Sequence, residues 1–84
     1  MKKFVVGESY TMNSPCCHDC GWRFIVKART QQFVTLAYVD RRGDERETVR
    51  CRISRQTSEY LGAESVFPLG RYSMAPILSA DKVA

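Results

Sequence analysis

From Trp22 onward the chain alternates, with Trp22, Phe24, Val26 and Ala28 on one parity and Arg23, Ile25, Lys27 and Arg29 on the other. Successive strand residues point to opposite faces, so residues 22–30 predict a strand with one buried and one basic face. Residues 33–39 are again β-rich. They place Val34, Leu36 and Tyr38 on one side and Thr35 and Ala37 on the other, after a connection short enough for a hairpin. Asp40, Gly43 and Asp44 mark the next turn. Residues 45–53 then set Glu47, Val49, Cys51 and Ile53 against Arg46, Thr48, Arg50 and Arg52. Together the three segments predict an antiparallel meander.

Before it, residues 4–12 read as a strand that bends or bulges at Gly7, is broken by Asn13, Ser14 and Pro15, and gives way to a tight polar loop over residues 16–21. After it, Ser54 is an N-cap for one or two helical turns over residues 55–61, which Gly62 ends. Residues 63–80 carry Val66, Phe67, Leu69, Tyr72, Met74, Ile77 and Leu78. Pro68, Gly70 and Pro76 punctuate them, so any strands there are short and lie at sheet edges or ends. The expected fold is mainly all-β, a small, partly closed SH3-like or OB-like barrel of five to six short antiparallel strands with one short helix. At 84 residues the chain is one modest domain over residues 1–84, without internal repeats and too small for an elaborate catalytic cleft.

Charge narrows the possible partners. Thirteen Lys and Arg against nine Asp and Glu leave +4, and nine of the cations are Arg, whose planar fork suits phosphate and carboxylate. Arg23, Lys27, Arg29, Arg46, Arg50 and Arg52 would share one sheet face, flanking Thr35 and Ala37, and such a face can follow a phosphate backbone. Trp22, Phe24 and Tyr38 point the other way, which leaves that face without aromatic platforms for stacking bases. The plainer alternative is a solvated face, partly balanced by Asp40, Asp44 and Glu45; another is a docking face for an acidic protein. Lys2 and Lys3 precede only three apolar residues before Gly7 and Glu8, too few for an export signal. No stretch reaches the ~18 apolar residues of a membrane span, so the expected setting is cytoplasmic, with no membrane partner.

Cys16, Cys17, His18 and Cys20 form the one cluster of reactive side chains. Cys17-His18-Asp19-Cys20 has the spacing of a zinc half-site, and Cys51 is the only distant thiol to complete it. A flat meander keeps Cys51 roughly 17 to 20 Å from Cys20. Zinc held by Cys16 or Cys17, Cys20 and Cys51 is therefore a lesser reading that needs barrel closure or a second subunit, and otherwise no cofactor is expected. Redox chemistry at the C-x-x-C pair would want a helix N-terminus where a strand follows. His18 lies too near in sequence to Cys17 and Cys20 to orient a nucleophile. Glu59, Tyr60 and Glu64 read as isolated surface groups. There is no phosphate loop and no Ser-centred elbow, so a non-enzymatic protein is expected.

Gly7-x-x-Tyr10-x-Met12-x-Ser14-Pro15-Cys16, Cys20-x-Trp22, Cys51-Arg52-Ile53 and Phe67-Pro68-Leu69-Gly70-Arg71-Tyr72-Ser73-Met74-x-Pro76-Ile77 together resemble a group of small uncharacterised proteins of gut Firmicutes, often encoded near mobile genetic elements. The resemblance covers most of the chain and implies a bacterial, cytoplasmic setting. It brings no activity and no site residues. The resulting expectation is a small binding module that takes nucleic acid through its basic face. The alternatives are a protein-interaction or counter-defence factor, which can be a homodimer, and the zinc-stapled domain.

Overall fold

The predicted three-strand meander is present with a fourth strand added at its N-terminal edge, and two more strands make a separate small sheet. The computed structural model describes residues 1–14, 17–70 and 75–83, with residues 14 and 17–20 described by their backbone. Strands β1 (Ser9–Ser14), β2 (Cys17–Arg29), β3 (Phe33–Val39) and β4 (Glu45–Arg52) pair antiparallel in that order. Helix α1 (Arg55–Leu61) follows, then β5 (Ser65–Val66) and β6 (Leu78–Ser79), which pair with each other. The small, mainly β class is thus as expected, although the strands fall into two sheets and no closed barrel forms.

The inner face of the large sheet carries Tyr10 and Met12 from β1, Phe24 and Val26 from β2, Val34 and Leu36 from β3 and Cys51 from β4, all buried. Phe4, Ala63, Val66, Leu78 and Ala80 cover it, and Phe4 meets Tyr10 edge to face with ring centroids 5.0 Å apart. Within this cover the Glu64 N–H donates to the Lys2 carbonyl at 2.8 Å, and the Thr11 N–H ties the cover to the sheet by donating to the Lys82 carbonyl at 2.9 Å. The second bond protects the β1 edge. Among the described residues, the β4 edge pairs with β3 alone.

Helix α1 has the bounds its capping residues predict. Ser54 Oγ accepts from the Thr57 N–H at 3.4 Å, and the Gly62 N–H donates to the Ser58 carbonyl at 2.9 Å. Gly62 lies at φ +71°, a left-handed conformation that costs other residues roughly 1 kcal/mol. A Cβ there would meet nothing within 4 Å, so the penalty is purely one of backbone. Gly62→Ala is expected to lower the unfolding free energy in urea by about 1 kcal/mol; an unchanged midpoint would show that this turn is held otherwise.

Two expectations near the N-terminus change. β1 begins at Ser9 rather than near residue 4, because Gly7, at φ +91°, sits in a turn closed by the Glu8 N–H on the Val5 carbonyl. Chain direction reverses there, and residues 1–8 serve as cover instead. β1 also runs on through Ser14, and β2 begins at Cys17, so residues 17–21 extend the strand where a loop was expected. The reason lies in the pairing: Gly21 stands opposite Asn13, and the register shifts by the end of β1 so that Ser14 faces Cys17.

Candidate nucleic-acid interface

Two bulges decide which cations share a face. In β2, Val26 stands opposite Leu36 but Ala28 stands opposite Thr35, which leaves Lys27 as an extra residue. One added residue inverts the parity of everything after it. Arg29 therefore lies opposite Val34 and turns inward, away from the basic face to which simple alternation assigns it.

There Arg29 Nη1 donates to Glu64 Oε1 and to the Phe4 carbonyl, both at 2.6 Å, and Nη2 donates to Glu64 Oε2 at 2.9 Å. The Phe4 N–H donates to Glu64 Oε1 at 2.7 Å. The two side chains are 21% and 8% exposed, so this is a largely buried, two-pronged ion pair. Burial alone would raise the Glu64 carboxyl, but the bonds from Arg29 and Phe4 outweigh it and hold the group below the usual carboxylate range. Hydrogen bonding to Glu64 raises Arg29 further. Arg29 is a structural residue, and Glu64 is not the isolated surface carboxylate its sequence context suggests.

The second bulge lies in β4. Ala37 stands opposite Thr48 but Val39 opposite Glu45, so one extra β4 residue brings Glu45 to the outer face. Its Oε1 meets Lys27 Nζ at 2.7 Å, with both side chains 46% exposed. Arg46 turns its Nε to Asp40 Oδ2 at 2.8 Å. Asp40 also accepts from the N–H groups of Asp44 and Arg42, and its carboxyl is held down by the Asp44 bond above all. Exposed pairs of this kind contribute little and yield readily to salt or to a competing anion. Lys27 stays on the outer face, offset by Glu45, whereas the bulge turns Arg46 off that face to Asp40 and the cleft beside Trp22 and Tyr38, contrary to simple alternation.

Arg23, Arg50 and Arg52 have no carboxylate partner among the described residues. Arg50 stands opposite Thr35 and Arg52 opposite Phe33, which makes them neighbours at one corner of the outer face. Arg23 faces Val39, four β3 residues or roughly 13 Å along the sheet. The Arg50 guanidinium carbon lies 4.2 Å from the Phe33 ring centroid, a cation–π stack that fixes the fork in place. Phe33 is thus an aromatic group on the face for which the alternation of residues 22–30 supplies none. The alternation that puts Thr35 outward puts Phe33 there too.

The inner face at the opposite end of the sheet is less completely covered. Phe24 is buried and stacks edge-on to Tyr38 at 5.8 Å, while Trp22, Tyr38 and Val49 are half-buried and line a cleft of about 760 Å³ with Pro68 and Leu69. In residues 67–72, Pro68 is buried and Leu69 is 44% exposed; Arg71 and Tyr72 lie outside the described residues, as do Ser73 and Met74.

The thiol cluster also lies outside them, Cys16 entirely and Cys17, His18 and Cys20 in their side chains. Cys51 is buried on the inner face opposite Val34, and burial raises its thiol above the ordinary value. Arg23 faces Val39, five residues from Val34, and Cys20 lies three residues further from Cys51 along β2. At ~3.3 Å per residue that backbone separation far exceeds the span of one zinc site, with ligands about 2.3 Å from the metal. Cys51 and Cys20 therefore do not share a metal within one chain. Among the described residues no helix is long and apolar enough to cross a membrane.

No family model matches the chain, and neither a search of curated proteins nor one of solved structures finds a match.

Proposed function

We propose that the domain is a non-enzymatic module that binds the phosphate backbone of nucleic acid across the outer face of its large sheet. The Phe33–Arg50 stack beside Arg52 carries this reading. A fork already fixed on an aromatic ring loses little freedom on taking a phosphate, and no carboxylate among the described residues must first be displaced from it. Arg23 and Lys27 extend the positive surface along the sheet, Lys27 by exchanging an exposed carboxylate for phosphate. Arg29 takes no part. The resemblance noted in the sequence would set such a module in a bacterial cytoplasm, near mobile genetic elements.

The test is an anisotropy titration of duplex DNA, single-stranded DNA and RNA at about 50 and 200 mM salt. With three to four phosphates neutralised, duplex affinity should fall roughly 40- to 150-fold across that interval. No binding at the lower salt, or binding that ignores salt, overturns the proposal.

A further inference from the structure

We infer that the free edge of β4 accepts an extended peptide as an additional antiparallel strand, and that the segment it fits alternates acidic and apolar residues. The inference goes beyond nucleic-acid binding because it rests on main-chain groups that a phosphate backbone does not need.

The Ile53 N–H donates to the Gln32 carbonyl at 2.7 Å. Hydrogen-bonded and non-hydrogen-bonded pairs alternate along an antiparallel ladder, so Cys51 and Val49 also turn their backbone toward β3. Thr48, Arg50 and Arg52 consequently turn their N–H and C=O groups outward, and all three residues are exposed. A cleft of about 870 Å³ runs beside this stretch, bounded by residues 49–53 of the chain and by Phe67 and Pro68. Among the described residues nothing pairs with these main-chain groups, and an exposed row of this kind next to a cleft is the physical basis of strand addition.

Side-chain chemistry then selects the segment. Residues directly opposite Thr48, Arg50 and Arg52 share the outer face with those two arginines, which have no carboxylate partner among the described residues. Acidic side chains satisfy them. The intervening residues fall on the inner side, beside Val49, the half-buried Ile53, Phe67 and Pro68, where apolar side chains lose water-exposed surface.

A second copy of this chain fits badly. Joining β4 to β4 about a two-fold axis places residues of like parity opposite each other. Registers centred on Arg50 and Cys51 set Arg50 against its own copy and Arg50 against Arg52. Like charges directly opposite are unfavourable, so the outer side chains guard the edge against self-pairing while inviting an acidic strand.

The test uses three labelled peptides with the intact protein: alternating Glu and Val, the same residues in two blocks, and the alternating peptide N-methylated at two Glu positions. The alternating peptide is expected to bind at least about tenfold more tightly than either control. Thr48→Pro should weaken it similarly while leaving DNA affinity unchanged, since that N–H faces away from β3 and proline is tolerated at such edge positions. Equal binding of all three peptides reveals charge attraction alone and overturns the inference, as does absence of binding at about 1 mM. The peptide controls decide the matter even if the proline variant fails to fold. Loss of DNA binding with retained peptide discrimination would overturn the nucleic-acid reading and leave this one standing.

Discussion

Glu64→Gln should lower the unfolding free energy by about 2–4 kcal/mol, as measured in urea at neutral pH. Glutamine can still accept from the Phe4 N–H and from Arg29 Nη1 through its carbonyl oxygen, in place of the contacts that Oε1 makes at 2.7 and 2.6 Å. Its amide nitrogen, however, takes the place of Oε2 and presents a donor to the Arg29 Nη2 donor, where a bond of 2.9 Å stood. Arg29 then keeps its charge in a largely buried place without a counter-charge, the situation in which removing one partner costs most. Arg29→Met alone strands the buried Glu64 carboxylate and should cost a comparable amount, whereas the double variant with Glu64→Gln, which removes both charges, should recover part of the loss.

Acid provides an independent check. The folded Glu64 carboxyl lies below its ordinary value of 4.5, so its contribution is complete above that pH and is lost as pH falls through the lower folded value. The gap between wild type and Glu64→Gln should therefore narrow below about pH 4.5. A gap independent of pH, or a change under about 1 kcal/mol, would show that the pair does not anchor the cover.

The other large effect concerns binding. Reversing Arg50 and Arg52 together to Glu should reduce affinity for nucleic acid by at least about a hundredfold at low salt and flatten the dependence of log affinity on log salt by about two units. Both positions are exposed on the outer face, so circular dichroism and the urea midpoint should scarcely move. Arg23→Glu, alone at the far end of the sheet, should have a smaller effect, near tenfold. If the double reversal binds as wild type does, the phosphate contacts lie elsewhere.

Much of the fold was legible because local chemistry determines it. The bounds of β3 and α1 and the meander order follow from alternation, turn residues and caps, each a property of a few neighbouring residues. The bulges leave no comparable trace, since the alternation of Arg23, Ile25, Lys27 and Arg29 continues in the sequence while the pairing slips past Lys27. Simple alternation accordingly puts Arg29 on the wrong face. Glu64 was unreadable for a different reason: its partner lies 35 residues away, and nothing near Glu64 indicates that it is buried. Phe33 was within reach, because the parity that sends Thr35 outward applies equally to it.

The attachment of Phe4 by both its N–H and its carbonyl has a kinetic consequence. The meander is built from neighbours joined by short turns, so its hairpins can zip without closing long loops. The cover must wait, because Phe4 meets its carboxylate 60 residues later in the chain and Thr11 meets Lys82. The sheet is therefore expected to be the early, persistent unit of the folding reaction, and the cover the late unit whose amides exchange first. Loosening the Arg29–Glu64 clasp would unseat Phe4 first and bare the aromatic inner face while the strands beneath it were still paired.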